Sequence, residues 1–207
     1  EIGCSAGWNL YPYHIRSKYV SGCDYGSDYI CYGISKGMNL YKGGLDTGRT
    51  QYESQDLVIL SHVLEHIAKP IEFLIEVIKL ININKYLIVE IPSVLSNKES
   101  TLLTTFHLPH IYTYNENFLI FLFKALKLEV LYHDYESVFI LRKPTSWSPP
   151  LVQAVINNIP SDQLANDSDC IINHLKKFYI KAKLKIIVIM VLELFMIKQL
   201  VKYIFKY

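Results

Sequence analysis

A chain of 207 residues, 51% hydrophobic and 19% charged, can bury a substantial core and carries too little charge to be a disordered polymer. A formal net charge of +2 gives no global basic excess, so no nucleic-acid partner is expected. Four cysteines, Cys4, Cys23, Cys31 and Cys170, lack CxxC spacing, which argues for free, buried thiols in a reduced, cytoplasmic setting rather than a disulfide framework.

In chain order, Glu1-Ile2 reads as the tail of a strand, so the sequence is expected to start inside an element, without a leader peptide. A glycine-bearing turn, Gly3 to Gly7, leads to a helix from about Trp8 to Ser17. A short strand ends near Asp24, and Ser27 or Asp28 caps a helix through Lys36. A strand at 39–41 is followed by a Gly43-Gly44 turn. The apolar run Asp56 to Ser61 predicts a strand buried on both faces. Phe73, Leu74, Val77 and Ile78 have helical spacing within 71–80. Residues 86–91 form a second buried strand, stopped by Pro92 and preceded by a turn at 82–85. A helix over 116–126 and two strands at 128–132 and 138–141 complete the series. Their link is too short for a crossover helix, so the last pair is antiparallel. Alternating strands and helices predict an α/β fold: a mostly parallel sheet, last strand antiparallel, with helices on both faces.

Prolines at 144, 149 and 150 mark a linker over 144–150, dividing a domain at 1–143 from a helical C-terminal tail at 151–207. The tail carries a net charge of +4 and the rest −2. Its run 186–197 is apolar except for Glu193, too short to span a bilayer, and lysines flank it on both sides. Such a helix packs on the sheet, pairs with a second copy in a homodimer, or lies peripherally on the inner membrane surface.

All nine glycines fall between Gly3 and Gly48, where backbone must turn or approach a ligand closely. Glu1-x-Gly3-x-x-x-Gly7 puts an acid at a strand tip, then two glycines before a helix, the crevice where open α/β sheets bind ligands. Asp24, about twenty residues on, stands at the next strand tip, placed to accept hydrogen bonds from both ribose hydroxyls. The dinucleotide fingerprint GxGxxG fails at Ser5, and the phosphate loop is absent.

With the stretch Asp56-Leu-Val-Ile-Leu-Ser-His-Val-Leu-Glu-His-Ile67, then Pro70, the strand at 86–91 and His107-Leu-Pro-His-Ile-Tyr-Thr-Tyr114, the order of motifs resembles the Rossmann-like S-adenosylmethionine-dependent methyltransferases over residues 1 to about 143. It is most similar to their small-molecule and glycan-tailoring branch. The resemblance implies S-adenosyl-L-methionine as cofactor. It implicates Glu1, Gly3, Cys4, Ser5 and Gly7 for the methionine end, Asp24 and Tyr25 for ribose and adenine, and Ser61 and His62 for the pocket floor. Gly44 stands where the family often has an acid. The implied reaction is methyl transfer to an oxygen of a small molecule or glycan.

His62, His66 and His110 are the candidate catalytic side chains, since a near-neutral pKa suits taking a proton from a hydroxyl. The polar stretch Asn97 to Thr105 is a candidate cover over the acceptor. His62-x-x-Glu65-His66 also matches the HxxEH pattern of zinc peptidases, and on a helix these three residues share a face. Ubiquinone-pathway O-methyltransferases resemble this stretch and use an acid–x–x–acid–His cluster for a divalent cation, but His62 replaces the first acid. The expectation is metal-free chemistry, with a divalent ion not favoured. The second functional class is a degenerate domain of the same fold that binds without catalysis.

Overall fold

The computed structural model describes residues 1–16, 19–45, 54–92, 110–134 and 137–158. The elements are α1 (Tyr11–His14), β1 (Gly22–Asp24), α2 (Ser27–Ser35), β2 (Leu40–Lys42), β3 (Gln55–Ser61), a 3-10 turn (Leu64–His66), α3 (Pro70–Leu80), β4 (Ile81–Glu90), α4 (Glu116–Ala125), β5 (Glu129–His133), β6 (Val138–Arg142) and α5 (Val152–Asn157). β1 and β2 pair in parallel, as do β3 and β4, and β6 runs antiparallel to both β4 and β5. Ile2 makes parallel bridges to Cys23 and Leu60. It therefore joins the two-stranded and four-stranded parts into one sheet of order β2-β1-Ile2-β3-β4-β6-β5. The predicted architecture holds: a mostly parallel sheet with only the last strand reversed.

Two separate cores flank this sheet. The larger gathers Leu74, Val77 and Ile78 from α3, Leu119, Leu122 and Phe123 from α4, and inward residues of β3, β4 and β6. Asn115 starts α4 by accepting the Phe118 amide on its side chain at 2.7 Å, a standard N-cap. The smaller core holds Cys4, Leu10, Ile30, Met38 and Leu40.

Several boundaries differ from expectation. The helix foreseen over 8–17 is one turn, because Gly7, at φ +82°, starts a tight turn in which the Leu10 and Tyr11 amides both bond the Gly7 carbonyl. Gly26, not Ser27 or Asp28, caps α2. In β3 only Val58 and Leu60 are fully buried, while Leu57 is exposed. Two-sided burial is thus not reached there among the described residues. The 82–85 turn lies inside β4, where the register slips: Gln55 faces Ile81 but Leu57 faces Tyr86. Asn84 takes φ +61°, which a short polar side chain tolerates better than most.

Within 144–150, Trp147 packs against the larger core while Thr145, Ser146, Ser148 and Pro149 are exposed. Lys143 donates to the carbonyls of Ile78 and Ile81 at 3.0 and 2.6 Å, closing the C-terminus of α3. Its ammonium lies 4.6 Å over the Trp147 ring, whose Nε1 donates to the Leu126 carbonyl. Val155 of α5 is fully buried in the larger core. The first compact unit runs Glu1–Pro160 and the second Ser161–Tyr207. The tail helix expected over 186–197 and the cover over 97–105 lie outside the described residues.

Candidate functional site

A cavity of about 830 Å³ opens at the carboxyl ends of the parallel strands, within the size range of small-molecule sites. Its walls come from Ile2 and Gly3, from Asp24 and Tyr25 after β1, from Gly43, Gly44 and Leu45 after β2, and from His62, Val63, His66 and Ile67 after β3. The remaining wall is one face of α3 with the residue before it: Lys69, Glu72, Phe73 and Glu76. That spacing of three, four and seven is a helical stripe, opposite the buried Leu74, Val77 and Ile78.

Asp24 organises the strand tips. Its Oδ2 accepts the Ser5 amide at 2.8 Å and its Oδ1 the Gly26 amide at 2.7 Å, tying the loop after Ile2 to the loop after β1. Each carboxylate oxygen retains a further lone pair. Gly3 sits at φ +72°, and a Cβ there would lie 2.4 Å from Val63 Cγ2. Only glycine therefore lets the chain pass beneath Val63 at the cavity wall.

Other predicted cofactor residues are placed differently. The amides of Gly3 and Cys4 donate to the Cys23 carbonyl, and that of Gly7 to the Cys4 carbonyl. These glycine-loop donors are thus spent within the protein, and the loop supplies shape. Gly7 does not line the cavity. A Cβ there would meet Met38 Cε at 2.6 Å, so its smallness serves the lesser core. Cys4 is buried, and burial pushes its thiol up to about 12. Cys23 is buried as expected, but Cys31 is exposed. Glu1 Oε1 accepts from Asn9 at 2.7 Å, and burial raises its carboxyl above the usual range. Ser61 donates to Glu90 Oε2 at 2.6 Å, away from the cavity wall.

The three histidines converge on one carboxylate. Glu65 is buried, with both side-chain oxygens lacking a hydrogen-bond partner among the described residues. Its Oε1 lies 3.6 Å from His62 Nδ1, 4.0 Å from His66 Nε2 and 3.9 Å from His110 Nε2. The Glu65 interaction, then the nearby Glu90, hold the His62 imidazole above its ordinary pKa, against the opposing effect of burial. His62 and His66 line the large cavity. His110 does not; it sits in a small crevice with Glu65, Pro92 and Tyr114. The helix assumed for His62-x-x-Glu65-His66 is absent. His62 has φ +54°, precedes the 3-10 turn and brings Nε2 to 3.9 Å from Glu90. The shared helical face needed by the peptidase pattern does not exist.

The α3 face escaped the sequence reading because charged positions on an amphipathic helix normally face solvent. The 3.6-residue period already carried it, since 69, 72, 73 and 76 fall on one stripe.

The strand order, the reversed last strand and the cavity at the carboxyl tips together define the Rossmann-like fold of S-adenosylmethionine-dependent methyltransferases. A methyltransferase from Archaeoglobus fulgidus superposes with TM-score 0.52 at 22% identity, covering 62% of this chain and 59% of its own. Phosphoethanolamine N-methyltransferase 1 of Haemonchus contortus, in complex with phosphoethanolamine and S-adenosylhomocysteine, gives TM-score 0.60 at 12% identity over 81% of this chain and 44% of that one. A Methanosarcina mazei methyltransferase gives 0.52 at 18% identity, over 69% and 90%. The chain thus spans about half the length of the first two structures. No curated protein matches the sequence. The family model of methionine biosynthesis protein MetW matches residues 1–114, and the chain belongs to that family.

Proposed function

We propose that this domain transfers a methyl group from S-adenosylmethionine to a small-molecule acceptor. The observation that carries the reading is the single cavity containing both the Gly3 turn and the Asp24 carboxylate. The residues present fit the cofactor. The volume is sufficient, Gly3, Gly43 and Gly44 leave the wall without side chains, and Asp24 keeps acceptor capacity beyond its two amide bonds. Asp24 would take the ribose hydroxyls and Tyr25 would flank the adenosine, while Gly3 and its neighbours shape the methionine end. When bound, the cofactor supplies an electrophilic sulfonium methyl.

The protein's task is then to hold the acceptor in line and, for a hydroxyl, to accept its proton. His62 is the base this reading favours, since it lines the cavity while Glu65 and Glu90 flank its two nitrogens. His66 shares the wall, and His110 would act through Glu65. An oxygen acceptor on a small molecule or glycan follows from that assignment. The chain's place would be the cytoplasm. The lysines of 151–207 favour a peripheral contact with anionic lipid over pairing into a homodimer. No helix among the described residues is long and apolar enough to cross a membrane.

Calorimetry with S-adenosylhomocysteine tests the cofactor. The native chain should bind, and Asp24→Ala should weaken binding well over tenfold by removing charge-assisted hydrogen bonds worth about 1.5–3 kcal/mol each. No affinity in a folded native protein removes the reading. For the base, His62→Ala should depress kcat while cofactor affinity holds; unchanged turnover dismisses it. Vesicle sedimentation decides the tail: equal recovery with and without anionic lipid ends the membrane role.

A further inference from the structure

We propose that Glu65, His66 and His110 form a binding site for a divalent transition cation of the zinc class. One ligand atom from each of these residues can be chosen so that all lie within 4.8 Å of one another. His66 and His110 stand edge to face, ring centroids 4.8 Å apart, with both Nε2 atoms near the same Glu65 oxygen. A tetrahedral ion with bonds near 2.0–2.1 Å spaces its ligand atoms by roughly 3.3 Å. The two Glu65–histidine separations of 3.9–4.0 Å need to contract by about 0.6–0.7 Å, and the histidine pair, within 4.8 Å, by up to about 1.5 Å, which side-chain rotation about a bound ion can supply.

The second observation is independent of spacing. The Glu65 side chain is only 2% exposed, and neither carboxylate oxygen accepts a hydrogen bond among the described residues. A buried carboxylate without a partner is costly, and native structures rarely leave one. A cation bound to the carboxylate and the two imidazoles would remove that cost.

The backbone also brings the ligands together in advance. The Glu65 carbonyl accepts the amides of both Ile111 and Tyr112, and Tyr114 Oη donates to the Leu64 carbonyl at 3.4 Å. The segment carrying His110 is thereby stitched to the turn carrying Glu65 and His66. This set is not the HxxEH triad of the sequence. His62 keeps Nδ1 3.6 Å from Glu65 Oε1 but has Glu90 3.9 Å from Nε2 and falls outside the group whose ligand atoms gather within 4.8 Å, where His110, 44 positions further along than His66, stands instead.

Two imidazoles and one carboxylate suit zinc, cobalt or iron(II) better than magnesium or calcium, which prefer all-oxygen shells. Three protein ligands leave a coordination position open, as in reactive rather than purely structural sites. His66, on the wall of the large cavity, puts the ion beside it.

Cobalt(II) titration of the chelator-treated full chain tests the site without reference to methyl transfer. One equivalent should bind, giving the visible d–d bands of a low-coordinate ion, and zinc should displace it. His66→Ala and His110→Ala should each abolish the bands and weaken binding by at least about a hundredfold. Glu65→Gln should do the same, its fold checked by circular dichroism because the side chain is buried. The histidine variants keep the test decisive should Glu65→Gln not fold. His62→Ala should retain the ion. Failure of the folded native chain to hold cobalt or zinc overturns the proposal. So does binding unaffected by His66→Ala and His110→Ala, or binding lost in His62→Ala but kept in His110→Ala.

Discussion

Among the described residues, twenty buried side chains form the core on the β3–β6 side of Ile2, and five form the one on the β1–β2 side. Glycine is distributed the other way, with every one of the nine before residue 49. The short-stranded side also exposes Trp8, Tyr25, Tyr29 and Tyr32, and Trp8 and Tyr32 touch at 5.9 Å between ring centroids. The contrast teaches that this sheet separates its tasks. One end buries apolar area and holds the fold; the other gives up area for loops that can turn under a ligand. Asp24 and Gly3 belong to the weaker end, and the histidine-surrounded Glu65 to the stronger.

The largest test of that contrast is in the main core. Phe123 is fully buried and meets Phe139 edge to face at 5.3 Å. Phe123→Ala should cost about 3–5 kcal/mol, and Met38→Ala in the lesser core should fall near the low end of its class, about 2 kcal/mol. Equal losses in urea unfolding would break the comparison. Next is the clasp on α3. Lys143→Met keeps the apolar stem but removes both hydrogen bonds to the Ile78 and Ile81 carbonyls, for roughly 2–3 kcal/mol at neutral pH. Burial holds the Lys143 ammonium below its ordinary pKa.

Smaller effects should separate two glycines. Gly7→Ala places a methyl against Met38 at a backbone of φ +82°, costing roughly 1–2 kcal/mol of stability with little change in S-adenosylhomocysteine affinity. Gly3→Ala drives into Val63 at the cavity wall, and it should lower that affinity as well. A calorimetric loss of binding in Gly7→Ala equal to that in Gly3→Ala would return Gly7 to the ligand site. The smallest perturbation is chemical. With its pKa at about 12, Cys4 holds a thiolate fraction near pH 8 of roughly 10⁻⁴. Iodoacetamide followed by peptide mass spectrometry should label exposed Cys31 and leave Cys4 and Cys23 unmodified in the folded protein.

The fold was legible where burial writes a pattern. Apolar runs marked β3 and β4, the 3.6-residue period marked α3, and the short polar link marked the reversal of β6. Lengths were misread where a single residue governs: Gly7 shortens α1, and Asn84 lets β4 absorb a register slip without ending. The segment around Trp147 was taken for a linker because three prolines argue against regular structure. They do not argue against packing, and an indole with a carbonyl partner supplied it.

The site was legible as an address more than as a set of partners. Gly3, Asp24, Tyr25, His62 and His66 do line one cavity. Glu1, Cys4, Ser5, Gly7 and Ser61 are not among the residues lining it; the amides of Cys4, Ser5 and Gly7 are bonded to the Cys23 carbonyl, the Asp24 carboxylate and the Cys4 carbonyl, partners that sequence spacing does not show. The approach of His110 to Glu65 crosses 45 positions of sequence, and no local spacing encodes it.

The seat of Trp147 has an optical consequence. The chain holds two tryptophans. Trp147 packs on the large core with its indole N–H bonded and an ammonium over its ring, while Trp8 stands 65% exposed beside the glycine turn. Each half of the sheet thus carries its own fluorophore, one in an apolar setting and one in water. With Trp8→Phe and Trp147→Phe variants, the blue-shifted and red-shifted emissions would report each half separately. A denaturant titration could then follow which end of the sheet lets go first.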